Sequence, residues 1–145
     1  MVWGGITAHN RTQLVIIDGN LNAEKYRDEI LIPVVFRSYN AMALVSFYNR
    51  TTPARIVQQL LQQQETDILP WPAASLDLSP IEHVWDEIKR RLQRLPQAPV
   101  TLQELRQQLV RIWNEIPQNF HAQLFASMRR RCTAVIDAKG GHTRY

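Results

Sequence analysis

Eight residues, Ala41 to Tyr48 (AMALVSFY), constrain this chain more than any other stretch. Apolar side chains fall on both alternating sets of positions, so a strand here has no side suited to water. Such a strand must be covered on both faces, and helices usually supply the cover. The flanking pattern offers them. MVWGGIT and TQLVIID are short β-rich runs separated by the polar AHNR, which reads as a hairpin. Asp18-Gly19-Asn20 makes a turn. Asn22 is placed to cap a helix over Ala23 to Ile32, with Tyr26 and Ile30 on one face and Pro33 breaking or bending it. After the loop NRTTP, the segment ARIVQQLLQQQ reads as a helix with Ile56, Leu60 and Leu61 inward, and TDILPWPA as a short strand. The order β-β-α-β-α-β predicts an α/β sheet with some parallel pairing.

The rest reads as helix. Ile81, Val84, Trp85, Ile88, Leu92 and Leu95 follow helical spacing from Pro80 onward, up to the break at Pro96 to Pro99. Thr101-Leu-Gln-Glu104 is a capping-box start, with Leu102, Leu105, Leu109, Ile112, Trp113 and Ile116 on one side, and Pro117 ends that helix. A third helix from about Phe120 sets Leu124, Met128, Cys132 and Val135 along a face and stops at Gly140-Gly141. One domain results, with a β/α portion over 1–78 and a helical portion over 79–145.

Charge divides at the same place. Residues 1–78 carry a net −1 and residues 79–145 a net +5. A basic half suits a polyanion, although arginine-rich solvated helix faces explain the same numbers. The candidates for DNA contact are Lys89, Arg90, Arg91 and Arg94, and Arg129, Arg130 and Arg131. A hydrophobic content of 45% argues against disorder. A single cysteine, Cys132, excludes an internal disulfide and is expected as a small core residue in a reducing, intracellular protein. No apolar run reaches membrane-span length and no signal-peptide pattern opens the chain.

Ser79-Pro80-Ile81-Glu82 also fits a capping box, with Ser79 at the N-cap, proline at the first helical position and Glu82 reaching back. On its own Glu82 therefore needs no role beyond starting a helix. Its context supplies another reading. Trp71-Pro72-Ala73-Ala74-Ser75-Leu76-Asp77-Leu78-Ser79-Pro80-Ile81-Glu82-His83-Val84-Trp85 resembles the third-acid signature of mariner-like (Tc-type) transposases, with Leu76 where that family usually has proline. The resemblance extends through VWGGIT and LVIIDGNLNAEKYRDEIL on one side, and through TLQELRQQLVRIWNEIP and SMRRRCTAVIDAKGGHTRY on the other.

That resemblance implies an RNase H-like catalytic domain in which three carboxylates hold divalent metal, Mg²⁺ or Mn²⁺, for cutting and joining DNA. Glu82 is then the third acid and a metal ligand. The segment SFYNRTTPARIV stands where the family carries its second acid, and no acid is there. Tyr48 occupies the position if one residue has been deleted, Phe47 if none has. The first acid belongs on a strand upstream of VWGG, so the expected fold is a truncated RNase H-like α/β fold, a short mixed sheet lacking its first strand and leaving apolar strand edges unpaired. Asp18 is a weak stand-in, since it reads as a turn residue. The expected function is that of part of a transposase catalytic domain, inactive alone, nuclear, with transposon-end DNA as partner. The alternatives are a non-catalytic nucleic-acid-binding module, a module pairing with itself or with an intact transposase through Trp85, Trp113 and Phe125, and the product of a decayed element.

Overall fold

A computed structural model describes residues 1–37, 55–65, 78–139, 141 and 143. The expected strands at 41–48 and 66–73, the second-acid positions Phe47 and Tyr48, and the signature residues 71–77 lie outside the described residues. The chain divides into two compact units, Met1–Gly5 with Arg11–Ser75, and Ile6–Asn10 with Leu76–Tyr145.

The first unit opens with the expected hairpin. β1 (Val2–Trp3) and β2 (Val15–Ile16) pair antiparallel, Val2 opposite Ile16 and Trp3 opposite Val15. Pairing extends beyond them, because the Ile17 N–H donates to the Met1 carbonyl at 2.8 Å. Near the far end of the hairpin the Gly5 N–H donates to Thr12 Oγ1, also at 2.8 Å. Gly19 turns the chain with φ of 72°, a left-handed conformation that costs glycine nothing. α1 (Ala23–Lys25) starts where expected, with Asn22 Oδ1 accepting from the Lys25 N–H at 2.8 Å.

The helix does not stop at Pro33. It continues as a π-helix over Tyr26–Phe36. In an α-helical register the proline ring would meet the Glu29 carbonyl and leave it without a donor. A wider register relieves that demand, and π-helical turns are a usual answer to such interruptions. The buried residues recur at the matching wider interval: Tyr26, Ile30 with Leu31, then Val34 with Val35. Tyr26, Ile30, Leu31 and Val35 form a core with Ile17, Val57 and Leu61, and the Trp3 ring meets Tyr26 edge-on at 6.5 Å. In α2 (Arg55–Gln63) the deepest positions are Val57 and Leu61, while Ile56 and Leu60 pack at the margin of the core.

The second unit is helical, with α3 (Pro80–Gln93), α4 (Leu102–Glu115), α5 (Gln118–Ala126) and α6 (Met128–Asp137). Val84, Ile88, Ile112, Trp113, Ile116 and Leu124 are buried, and Trp85 stacks on Trp113 with ring centroids 5.6 Å apart. Trp113 is therefore core, at 1% exposure, and Trp85 and Phe125 are half-buried. Leu102, expected on the inner face of α4, is 65% exposed. It sits in the first turn, ahead of the part of α4 that packs.

The expected single third helix is two. Ser127 interrupts it, its hydroxyl donating to the Leu124 carbonyl at 2.6 Å and accepting from Arg131 Nε at 2.8 Å. Serine hydroxyls compete with the backbone in this way. Cys132 faces solvent instead of the core, and Arg131, seven residues after Leu124, is turned inward at 3% exposure. α6 ends at Asp137, with Lys139 in the left-handed region at φ of 50°. Among the described residues, no helix is long and apolar enough to cross a membrane.

Candidate active site

Glu82 projects from a fixed turn. Leu78, Ser79 and Pro80 are all buried, so the start of α3 is anchored before the helix begins. Val84 and Ile88 carry the anchoring onward on the inner face. Glu82, two residues before Val84, falls on the opposite side and is exposed. Its backbone N–H donates to the Ser79 carbonyl at 3.3 Å.

The expected capping box is absent at this turn. Ser79 is the N-cap and Pro80 the first helical residue, but the Ser79 side chain makes no cap bond. Its hydroxyl is fully buried and, among the described residues, has no hydrogen-bond partner. Among the described residues, the Glu82 carboxylate makes no hydrogen bond or ion pair. At α4 the same sequence pattern does close. Thr101 Oγ1 accepts from the Glu104 N–H at 3.1 Å, and Glu104 Oε2 accepts from the N–H groups of Val100 and Thr101 at 2.8 and 3.3 Å. Those backbone donors hold the Glu104 carboxyl below its ordinary range.

His83 lies beside the acid. Burial pushes its pKa down, and the cationic Arg131 pushes it the same way, partly opposed by Asp86. Farther along α3, Glu87 accepts from Arg91 Nε at 2.7 Å and lies 3.1 Å from Arg90. The Arg91 hydrogen bond, ahead of its other causes, lowers the Glu87 pKa. Lys89 and Arg94 are exposed, as are Arg129 and Arg130 on α6.

Residues without a sequence signal of function also meet within the second unit. His121 is fully buried against Trp113 and Phe120 and lies 3.3 Å from Gln118 Oε1 through Nδ1. The Gln118 amide donates to the carbonyls of Thr7 and Ala8 at 3.4 and 3.2 Å. The position of His121 three residues before Leu124 is the only hint of its burial in the sequence.

A paired-metal centre needs several oxygen ligands converging on two ions about 4 Å apart. The described residues do not fit that requirement. Among the described residues, no group of three His, Cys, Asp or Glu side chains is gathered in metal-binding range. Asp18 lies exposed in its turn. The sequence holds no acid at all between Glu29 and Glu65, the interval that contains Phe47 and Tyr48. Among the described residues, Glu82 is thus an exposed carboxylate with no pair of metal-ligating side chains gathered beside it.

The fold is that of a transposase catalytic domain of RNase H-like type. The chain matches structures of the Mos1 transposase catalytic domain determined with raltegravir and manganese or magnesium, both with a TM-score of 0.71, at 16% and 18% identity. The manganese structure is covered over 82% of its chain by 99% of this one. No family model matches the sequence. Its homologues are nonetheless transposases of the Tc1/mariner family. It is 33% identical over its whole length to the Tcb2 transposase of Caenorhabditis briggsae, covering 54% of that protein. It is 43% identical to the Tcb1 transposase of the same species over 61% of this chain and 32% of that protein. The Tc1 transposase of Caenorhabditis elegans is 40% identical over the same share. The chain thus spans about half the length of Tcb2 transposase, and the shorter matches to Tcb1 and Tc1 span about a third of theirs.

Proposed function

We propose that this chain is a DNA-binding transposase catalytic-domain scaffold that does not cleave DNA by itself. The observation that carries the reading is the contrast at the two acid positions. Glu82 stands exposed and unpaired among the described residues on an anchored turn, while no carboxylate exists between Glu29 and Glu65 to join it. A tyrosine or phenylalanine at the second position gives no hard anionic oxygen for Mg²⁺ or Mn²⁺. Glu82 is the third-acid position of the family, and Tyr48 its degenerate second-acid position.

The partner is DNA, at transposon ends, and the compartment is the nucleus. Lys89, Arg94, Arg129 and Arg130 are exposed and available to phosphates, and the net charge of +5 over residues 79–145 supports them. The test is one incubation with two readings, in which labelled transposon-end duplex is mixed with the purified chain and Mg²⁺ or Mn²⁺. Retention that falls as salt rises, with no nicked product, is the expected result. Absence of retention at low salt would end the DNA-binding part of the reading, and nicking would end the other.

Pairing with a second transposase chain is a further reading, favoured by the apolar side chains at the start of α4. Val100 is 81% exposed, next to the outward Leu102. Light scattering across a concentration series decides it, and a monomer at all concentrations removes self-pairing.

A further inference from the structure

We propose that Arg129 and Arg130, and not Arg90 and Arg91, form the surface through which this chain contacts the phosphates of duplex DNA. The assignment deepens the DNA-binding reading above and rests on it. The two clusters look alike in sequence and differ physically. On α3, Arg90 and Arg91 both close on Glu87, which is itself largely covered. They lie in the last turn, where a helix stabilises cations. Intrahelical pairing and position account for their presence without a ligand.

Neither account works on α6. The sequence has no acid between Glu115 and Asp137. The helical neighbours three and four residues from Arg129 are Phe125, Ala126, Cys132 and Thr133, and those of Arg130 are Ala126, Ser127, Thr133 and Ala134, all neutral. Of three consecutive arginines, Arg131 is turned inward onto Ser127, which leaves Arg129 and Arg130 side by side and exposed. Neither makes an ion pair among the described residues. Adjacent like charges without a counter-charge raise the free energy of the free protein, and a polyanion relieves that. The guanidinium fork matches a phosphate in two hydrogen bonds, and duplex DNA offers a charge about every 1.7 Å along its axis.

The test measures binding of the full chain to a fluorescein-labelled duplex by anisotropy across a salt series. It compares the wild type with Arg129→Gln/Arg130→Gln and with Glu87→Gln/Arg90→Gln/Arg91→Gln, circular dichroism verifying the fold of each. Two lost phosphate contacts should flatten the slope of log affinity against log salt by about 1.8 in the α6 variant and weaken binding at low salt by about tenfold or more. The α3 variant should change the slope by less than half as much. An unchanged slope in the α6 variant, or an equal or larger change in the α3 variant, overturns the assignment. A wild type that fails to bind at low salt refutes the parent reading instead, before any variant is compared.

Discussion

Two helices of this chain begin with the same local recipe and use it differently. α3 opens with Ser79-Pro80-Ile81-Glu82 and α4 with Thr101-Leu102-Gln103-Glu104. At α4 the box closes in both directions, and the Glu104 carboxylate is committed to two backbone N–H groups. At α3 the serine is sealed in the core without a cap bond, and the glutamate points outward. The difference lies in what holds each helix start. Thr101 is exposed and depends on its cap. Ser79 lies between buried Leu78 and Pro80, so packing fixes the turn and leaves the carboxylate uncommitted. A glutamate that its helix does not need is the one available as a ligand.

The comparison can be broken by substitution. If packing holds α3, Trp113→Ala should have the largest effect, about 3–5 kcal/mol in chemical denaturation, because it removes a fully buried ring from behind Trp85. A loss under about 1 kcal/mol would show that the stack is not what anchors α3. Thr101→Ala should cost about 1 kcal/mol by the same measurement, through loss of the cap. Acid should act on α4 in the same direction. The Glu104 pKa is depressed in the folded chain, so its contribution is complete above the ordinary value of 4.5 and disappears as pH falls through the lower, folded value. Helical circular dichroism followed downward from pH 5 should show that loss in the wild type and a smaller one in Glu104→Gln. The smallest effect belongs to Ser79→Ala. With no cap bond to lose and a buried unpartnered hydroxyl removed, stability should change by less than about 0.5 kcal/mol or rise slightly. A loss near that of Thr101→Ala would mean that the two helix starts are alike after all.

Much of this was legible in the sequence, for identifiable reasons. The hairpin, the Asn22 cap and the Thr101 box depend on a few neighbouring residues, and local rules cover them. The proposal of Glu82 as a site acid comes only from its fifteen-residue context, since four residues alone suggest a cap. What escaped depends on contacts the local pattern does not carry. The helix passes Pro33 because the core prefers Tyr26 to Val35 on one continuous helical face, at the wider spacing. Arg131 takes the inward place expected of Cys132 because it lies seven residues after Leu124, on the same side of the helix, and its Nε bonds the Ser127 hydroxyl, a contact that hydrophobicity alone does not signal. The uncapped Ser79 reflects burial of its neighbours, and burial is a property of the whole fold.

The central proposal is that Glu82 holds the third-acid position without the partner acid it needs. The direct measurement is a strand-cleavage assay on supercoiled transposon-end plasmid, with the wild-type chain and Glu82→Gln in Mg²⁺ and in Mn²⁺. The account predicts no nicked product from either protein above the metal-only control. Nicking by the wild type that disappears in Glu82→Gln would contradict it, because Glu82 would then be working in a complete site.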